Sequence, residues 1–321
     1  MYDVTALGEL LIDFIGNGNS GQGNPLFEAN PGGAPCNVLA MLGKMGYKTA
    51  FIGKVGADAF GKMLCDVLCD LNIETQGLIY DSDIPTTLAL VHNKPDGDRE
   101  FSFYRNPGAD LMLGKQEVKY DLIKNCKIFH FGSLSMTANP AKEAREAAVD
   151  YAKVHHKIIS FDPNLREALW TDIHAAKAAI WYGIGQCDIL KIADNEICWL
   201  TDETDFDKGV KIIKSRSDVR LINVTLGRDG SIAYYGDKKV YAEAFLNENT
   251  IDTTGAGDTF CACILGKILE YGLENLSEMQ LYQMLQMANA AASIVTTKKG
   301  ALRSMPEISE IDKMIEKRED K

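Results

Sequence analysis

Seven residues near the C-terminal third have the types and the order that hold an anion. Asp252-Thr-Thr-Gly-Ala-Gly-Asp258 runs directly into Thr-Phe-Cys-Ala-Cys-Ile-Leu-Gly-Lys-Ile-Leu, a strongly apolar helix. That order predicts the end of a strand, a glycine turn and the start of a helix. Consecutive N–H groups of Gly255, Ala256 and Gly257 then point outward at the positive end of the helix, an anion hole that needs no lysine. Asp258 falls in the first helical turn beside that hole. A first-turn carboxylate is common near helix caps, but two acids bracketing a Gly-Ala-Gly turn exceed what capping asks.

Other motifs carry less. Gly16-Asn-Gly-Asn-Ser-Gly21 matches the glycine spacing of a dinucleotide fingerprint, yet Gln22-Gly-Asn-Pro25 cannot open the helix that would receive a pyrophosphate. The run reads as a mobile loop. Gly-Lys occurs at Gly43, Gly53, Gly61, Gly114 and Gly266, never followed by Ser or Thr, so a Walker-type phosphate loop is absent. The eight cysteines show no Cys-x-x-Cys pair and no histidine at zinc-ligand spacing, and read as reduced core thiols. His130 sits in a strand, and His155 and His156 close a helix; none is given a catalytic role.

The elements that must position these residues follow from patterning. In 321 residues, 46% are hydrophobic and 25% charged, as in ordinary globular chains. A net charge of −11 argues against nucleic-acid or membrane-surface binding through bulk electrostatics. The first residues read as a strand rather than a leader, and apolar stretches such as Met287 to Val295 are too short for a membrane span, so a soluble cytoplasmic protein is expected. Apolar runs at 127–132, 157–162, 188–192 and 220–225 alternate with helical patterns at 140–155, 172–183, 195–201 and 207–215. This predicts an α/β fold with a mostly parallel sheet flanked by helices, and places Asp162, Lys191 and Thr225 at strand ends facing the site. The first third reads as strands and turns. Within it, alternating segments at 11–15, 86–92 and 100–105, the last two joined across Lys94-Pro-Asp-Gly-Asp98 as a hairpin, predict a small separate sheet standing over the large one as a lid. The chain is expected to form one domain over 1–321, with lid strands drawn from about 9–33 and 84–106.

The Asp252–Asp258 segment resembles the C-terminal signature of the ribokinase-like (PfkB) carbohydrate kinases. Asn30-Pro-Gly-Gly-Ala-Pro-Cys-Asn37 and Phe51-Ile-Gly-Lys-Val-Gly-Ala-Asp-Ala-Phe-Gly-Lys62 resemble the family's N-terminal signature. The similarity runs from about Gly8 to Pro306. Gly8-Glu-Leu-Leu-Ile-Asp13, Phe103-Tyr-Arg-Asn-Pro-Gly-Ala-Asp110, Asp162-Pro-Asn-Leu-Arg166 and Leu169-Trp170 look most like the fructokinases.

The resemblance implies transfer of the ATP γ-phosphate to a sugar hydroxyl, D-fructose giving D-fructose 6-phosphate, with Mg²⁺ and K⁺ as cofactors. A 2-keto-3-deoxygluconate kinase is the alternative within the family, because Arg105 and Arg166 could equally clamp a carboxylate. A non-catalytic sugar-binding protein of the same fold is the alternative outside catalysis. Asp258 is matched to the base, Gly255, Ala256 and Gly257 to the anion hole, and Asp13, Gly32, Gly33 and Asn37 to contacts with sugar hydroxyls. Asp13 lies in an otherwise apolar strand, which favours a buried partner. Phe103, Arg105 and Arg166 are implied to border the same pocket. On the nucleotide side, Thr225, Gly227 and Gly230 match a turn under the phosphates and ribose, Asn289 lies near the adenine, and Lys191 meets a phosphate. Glu196 matches the acid that orders magnesium through water, although Ala193 stands where the family's motif has Asn. Asp252, Thr254, Val295, Lys298, Gly300 and Ser304 are implied to supply oxygens to potassium, largely from backbone. Homodimers through the lid are a further family expectation.

Overall fold

In a computed structural model describing residues 1–93 and 99–319, the chain begins with β1 (Tyr2–Leu7), β2 (Leu11–Asn19), β3 (Pro25–Gly32), α1 (Ala34–Lys44) and β4 (Thr49–Gly56). It continues with α2 (Ala59–Asp70), β5 (Ile73–Asp81), β6 (Leu88–Asn93), β7 (Arg99–Tyr104), α3 (Tyr120–Lys124) and β8 (Cys126–Gly132). Alternation then sets in: α4 (Ala141–Val154), β9 (Ile158–Asp162), α5 (Ile173–Ile184), β10 (Ile189–Ala193), α6 (Asp194–Thr201), α7 (Phe206–Arg216) and β11 (Leu221–Thr225). The chain ends with β12 (Ser231–Tyr235), β13 (Lys238–Ala242), α8 (Ala256–Tyr271), α9 (Glu278–Val295) and α10 (Ile308–Glu319).

Nine strands form the large sheet in the order β13-β12-β11-β10-β9-β8-β1-β4-β5. From β5 to β11 all neighbours are parallel; β12 and β13 close one edge antiparallel. Each central strand alternates its apolar side chains between two cores, which is why these strands read as continuous hydrophobic runs. Ile128, Ile189 and Leu221 join one core with α1, α8 and α9. Phe129, Phe131, Phe161, Leu190 and Ile222 join the other with α4, α5 and α7. The expected α/β class is therefore the observed one.

A second, four-stranded sheet runs in the order β3-β2-β6-β7. The β6–β7 pair is antiparallel, as expected of the hairpin, while its turn at residues 94–98 lies outside the described residues. Asp58 ties this sheet to the core: one oxygen caps α2 at the Gly61 N–H (2.8 Å) and takes the Thr86 hydroxyl, and the other takes the Thr86 N–H, just before β6.

Several expectations need correcting. The first third holds two helices, α1 and α2, where strands and turns were read; glycine and proline at their starts (Gly33, Pro35, Gly61) mimic turn chemistry. Gly16 to Asn19 do not loop but extend β2, paired with β3 as far as Asn19 and Pro25. No strand leads into Asp252, since β13 ends at Ala242 and the chain between is irregular. Cys69 is exposed and Cys65 and Cys198 are half-buried on α2 and α6, so only Cys36, Cys126, Cys187, Cys261 and Cys263 are core thiols.

Candidate active site

The start of α8 is set by Gly255, whose φ of +79° is open to glycine at little steric penalty. The first bond of the helix runs from the Thr259 N–H to the Gly255 carbonyl (2.8 Å), reinforced by the Thr259 hydroxyl on the same oxygen (2.7 Å). The N–H groups ahead of it have no partner one turn back, and that of Ala256 bends toward the Thr253 carbonyl (3.3 Å). Gly257 has a different neighbour from Gly255: a Cβ there would stand 2.9 Å from Lys191 Nζ. The buried Lys191 ammonium, projected from β10, thus lies directly over the helix N-terminus. It pairs with Asp162 at the end of β9 (3.2 Å). Burial works to lower the Lys191 pKa, but Asp162, Glu196 and Asp258 together outweigh it and hold the side chain charged.

Asp258 is buried one residue beyond Gly257, and Asn37 from α1 donates to its Oδ2 (2.7 Å). Burial first, then the charge of Asp162, pushes its carboxyl up to about 6, against the pull of Asn37, Lys191 and Arg166. Asn37 Oδ1 is buried without a hydrogen-bond partner.

On the other side of Asp258 lies the turn from β3 into α1. A Cβ at Gly32 would strike Asp13 Oδ2 (2.4 Å), and one at Gly33, where φ is +131°, would strike the Glu9 carbonyl (2.4 Å). These glycines let the turn close on Asp13 and Glu9. Glu9 is buried and its carboxylate accepts the Ala34 N–H (3.0 Å), capping α1 from outside the helix. Burial raises its pKa to about 7 although Arg105 pulls the other way. Half-buried Asp13 lies across β2, β6 and β7 from Ala89 and Phe103. Arg105, next on that face, is buried under the pocket wall. It donates to Asp110 through Nε (2.8 Å) and Nη2, to Thr137 Oγ1 (3.2 Å) and to the Leu134 carbonyl (3.0 Å). Its guanidinium is bound by protein groups. Arg166 is half-buried, with Nη1 on the Leu165 carbonyl (3.2 Å), and acts on Asp258.

Apart from Lys191, the residues that the sequence assigns to the nucleotide lie at the β11–β12 turn and beside it. Thr225 ends β11, and Gly227 (φ +56°) and Gly230 (φ +98°) shape the turn closed by the Leu226 N–H on the Gly230 carbonyl (2.8 Å). Asn289 is wholly engaged: its oxygen accepts from Ser231 (2.9 Å) and its amide donates to the Ala242 and Glu243 carbonyls (3.0 and 3.1 Å). It fastens α9 to the edge strands. Glu196 accepts the Leu165 N–H (2.7 Å) and the Ala193 N–H (2.8 Å), so it holds the turn carrying Arg166. The segments at 252–254 and 295–304 lie side by side. Thr296 O accepts the Ile251 and Asp252 N–H groups (2.9 and 3.0 Å), Asp252 accepts from Thr254 N–H (2.7 Å) and Gly300 N–H (3.3 Å), and the Ser304 hydroxyl donates to Gly300 O (2.9 Å). Val295 O takes the Lys298 N–H (3.2 Å), while the Lys298 ammonium pairs with Glu310. Among the described residues, no three His, Cys, Asp or Glu side chains converge on a metal-sized site.

Sequence reading gave no role to Glu9 or Asp110. An acid between Gly8 and the apolar run Leu10–Ile12 was the one available signal for Glu9; nothing local marks Asp110 as the partner of Arg105.

The profile of the pfkB family carbohydrate kinases matches residues 1–308. Fructokinase-1 of Zea mays is 39% identical over 316 residues, covering 98% of this chain and 98% of its own. The structure of a fructokinase with bound ATP from Xylella fastidiosa superposes with a TM-score of 0.91 at 26% identity, covering 99% of this chain and 100% of its own. That of a Vibrio cholerae O395 fructokinase with fructose, ADP and calcium ion gives 0.87 at 27% identity, covering 98% and 99%. Among the described residues, no helix is long and apolar enough to cross a membrane.

Proposed function

This chain belongs to the pfkB family of carbohydrate kinases, and from that premise we propose that it transfers the γ-phosphate of ATP to D-fructose, giving D-fructose 6-phosphate. The observation that carries the reading is Asp258: a buried carboxyl with its pKa raised to about 6, held by Asn37, one residue past a helix N-terminus overhung by a lysine. Phosphoryl transfer asks mainly for in-line positioning and for charge stabilisation on the moving group. The N–H groups of Gly255, Ala256 and Gly257 and the Lys191 ammonium supply that charge stabilisation, in a site where fixed donors act strongly. Asp13, Gly32, Gly33 and Asn37 orient the sugar so that one hydroxyl meets Asp258, which takes its proton as the new O–P bond forms and ADP departs. Phe103 and Arg166 border the sugar, and Thr225, Gly227 and Gly230 support the nucleotide, with Asn289 fixing the strands beneath it.

Glu196 is the residue that would hold Mg²⁺, through water, and the ion would supply charge to offset that of the ATP phosphates. With its two oxygens engaged by backbone N–H groups but lone pairs left over, Glu196 suits water-mediated contact with such an ion. The Asp252–Thr254 and Val295–Ser304 segments, rich in adjacent carbonyls, would hold K⁺ behind the anion hole. The second sheet serves as the lid of a single kinase domain, and exposed Leu26 and Phe27 on edge strand β3 support pairing of two lids in a homodimer. Eight free cysteines suit a reducing compartment, the cytoplasm.

A coupled ADP-release assay over sugars and sugar acids tests the reading. Fructose should give the highest kcat/KM; a higher value for 2-keto-3-deoxygluconate overturns the substrate, and turnover on no sugar overturns the kinase.

A further inference from the structure

We propose that Asp110 sets the charge selectivity of the sugar pocket, neutralising Arg105 so that the pocket takes an uncharged sugar and turns away a sugar acid. The inference rests on the kinase reading above and sharpens its substrate class.

Asp110 is buried, and both its oxygens are used. Oδ2 accepts from Arg105 Nε (2.8 Å) and Nη2, and Oδ1 accepts the Thr87 hydroxyl (2.5 Å). Arg105 spends its other donors on Thr137 and the Leu134 carbonyl, and its side chain is 3% exposed. The turn between the two residues is shaped for this pair. A Cβ at Gly108 would overlap Thr87 Oγ1 (1.8 Å) and crowd Arg105 Cγ and Asp110 Oδ1 (3.0 Å each).

The pair also lies where it can act on substrate. Asp13, Ala89 and Phe103 occupy one row across β2, β6 and β7, and Arg105 follows directly after the end of β7. Its charge reaches Glu9, against the Gly33 turn. The wall thus carries Asp13, Asp258 and Arg166, with Glu9, Asp110 and Arg105 buried behind it, and the two guanidiniums are already bonded to protein groups. A sugar hydroxyl can donate to such a wall. A carboxylate finds its natural partner occupied and acids around it. Asp110 acts on the substrate through Arg105 and is in this sense a positioning residue.

The test compares kcat/KM for D-fructose and 2-keto-3-deoxygluconate in the wild type, Asp110→Asn and Asp110→Glu. In Asp110→Asn the acid-to-fructose ratio should rise at least tenfold, and the acid's kcat/KM should fall as salt is added, because a newly freed charge contact is screened. Asp110→Glu, which keeps the charge, should retain the wild-type preference. An unchanged ratio in folded Asp110→Asn overturns the proposal while leaving a fructose-phosphorylating wild type, and hence the kinase reading, intact. A wild type without fructose turnover overturns that reading and this one with it. If Asp110→Asn does not fold, the wild type decides through inhibition of fructose phosphorylation by 2-keto-3-deoxygluconate at about 50 and about 500 mM salt. Inhibition no weaker at high salt supports the proposal, and inhibition that weakens overturns it.

Discussion

In the proposed reading, the phosphate end and the sugar end of the cleft are built in opposite ways. Contiguous residues at one helix start, Gly255 to Asp258, make the phosphate end from backbone N–H groups, with Lys191 and Asp162 brought in by adjacent strands. The sugar end gathers side chains from Glu9 to Arg166, contributed by both sheets and two helices, and holds them through hydrogen bonds between residues far apart in the chain. One end depends on a local turn and tolerates little change in it. The other depends on a network in which each member adjusts the charge of the next.

A branched side chain at the phosphate end should have the largest effect. Valine at Gly257 would displace the flexible tip of Lys191 rather than backbone, so folding should change little. Activity should fall by about 10² or more, the loss typical of a missing anion-stabilising donor. Equal loss of stability and activity, measured by thermal unfolding beside kcat, would make Gly257 a structural glycine. At the junction of the two ends, Asn37→Ala removes a donor that holds the Asp258 pKa down. Because the base must be ionised, activity is lost as pH falls through that pKa. The acid limb of the kcat/KM profile, near 6 in the wild type, should move up by about one pH unit, a roughly twofold loss at about pH 7 that grows toward roughly tenfold below about pH 6.

The smallest effect belongs to Glu9, which bears on stability rather than chemistry. Its folded pKa of about 7 lies above the ordinary 4.5, so the folded state binds the extra proton between these values. Wild-type stability should therefore decline as pH rises through that window. Glu9→Gln keeps an acceptor for the Ala34 N–H without ionising, and should abolish a decline on the order of 2 kcal/mol. Denaturant unfolding at about pH 5 and about pH 8 reads the difference, and parallel slopes for the two proteins would contradict it.

The same contrast explains what could be read from the amino-acid sequence. The phosphate end is local, so the Gly-Ala-Gly turn and the apolar helix behind it were legible without a structure, as were β8 to β11, whose runs are buried on both faces. Asp162 was legible as a strand end and Lys191 as a strand residue, which the structure places within β10 rather than at its end, but neither was legible as part of an ion pair. The sugar end is non-local: Glu9 meets Ala34 across 25 residues, and Asn37 meets Asp258 across 221. No spacing rule links them. Arg105 is the instructive case, because an arginine in an alternating strand is identical in sequence whether it faces substrate or is held by Asp110.

Both ends converge on Asp258, and the most direct measurement is kcat for Asp258→Asn with saturating fructose and ATP, alongside the dissociation constants of both. A fall of about 10² or more with binding changed only a few-fold is expected for a lost base. Turnover close to wild type would contradict the assignment of Asp258 as the group that takes the sugar proton.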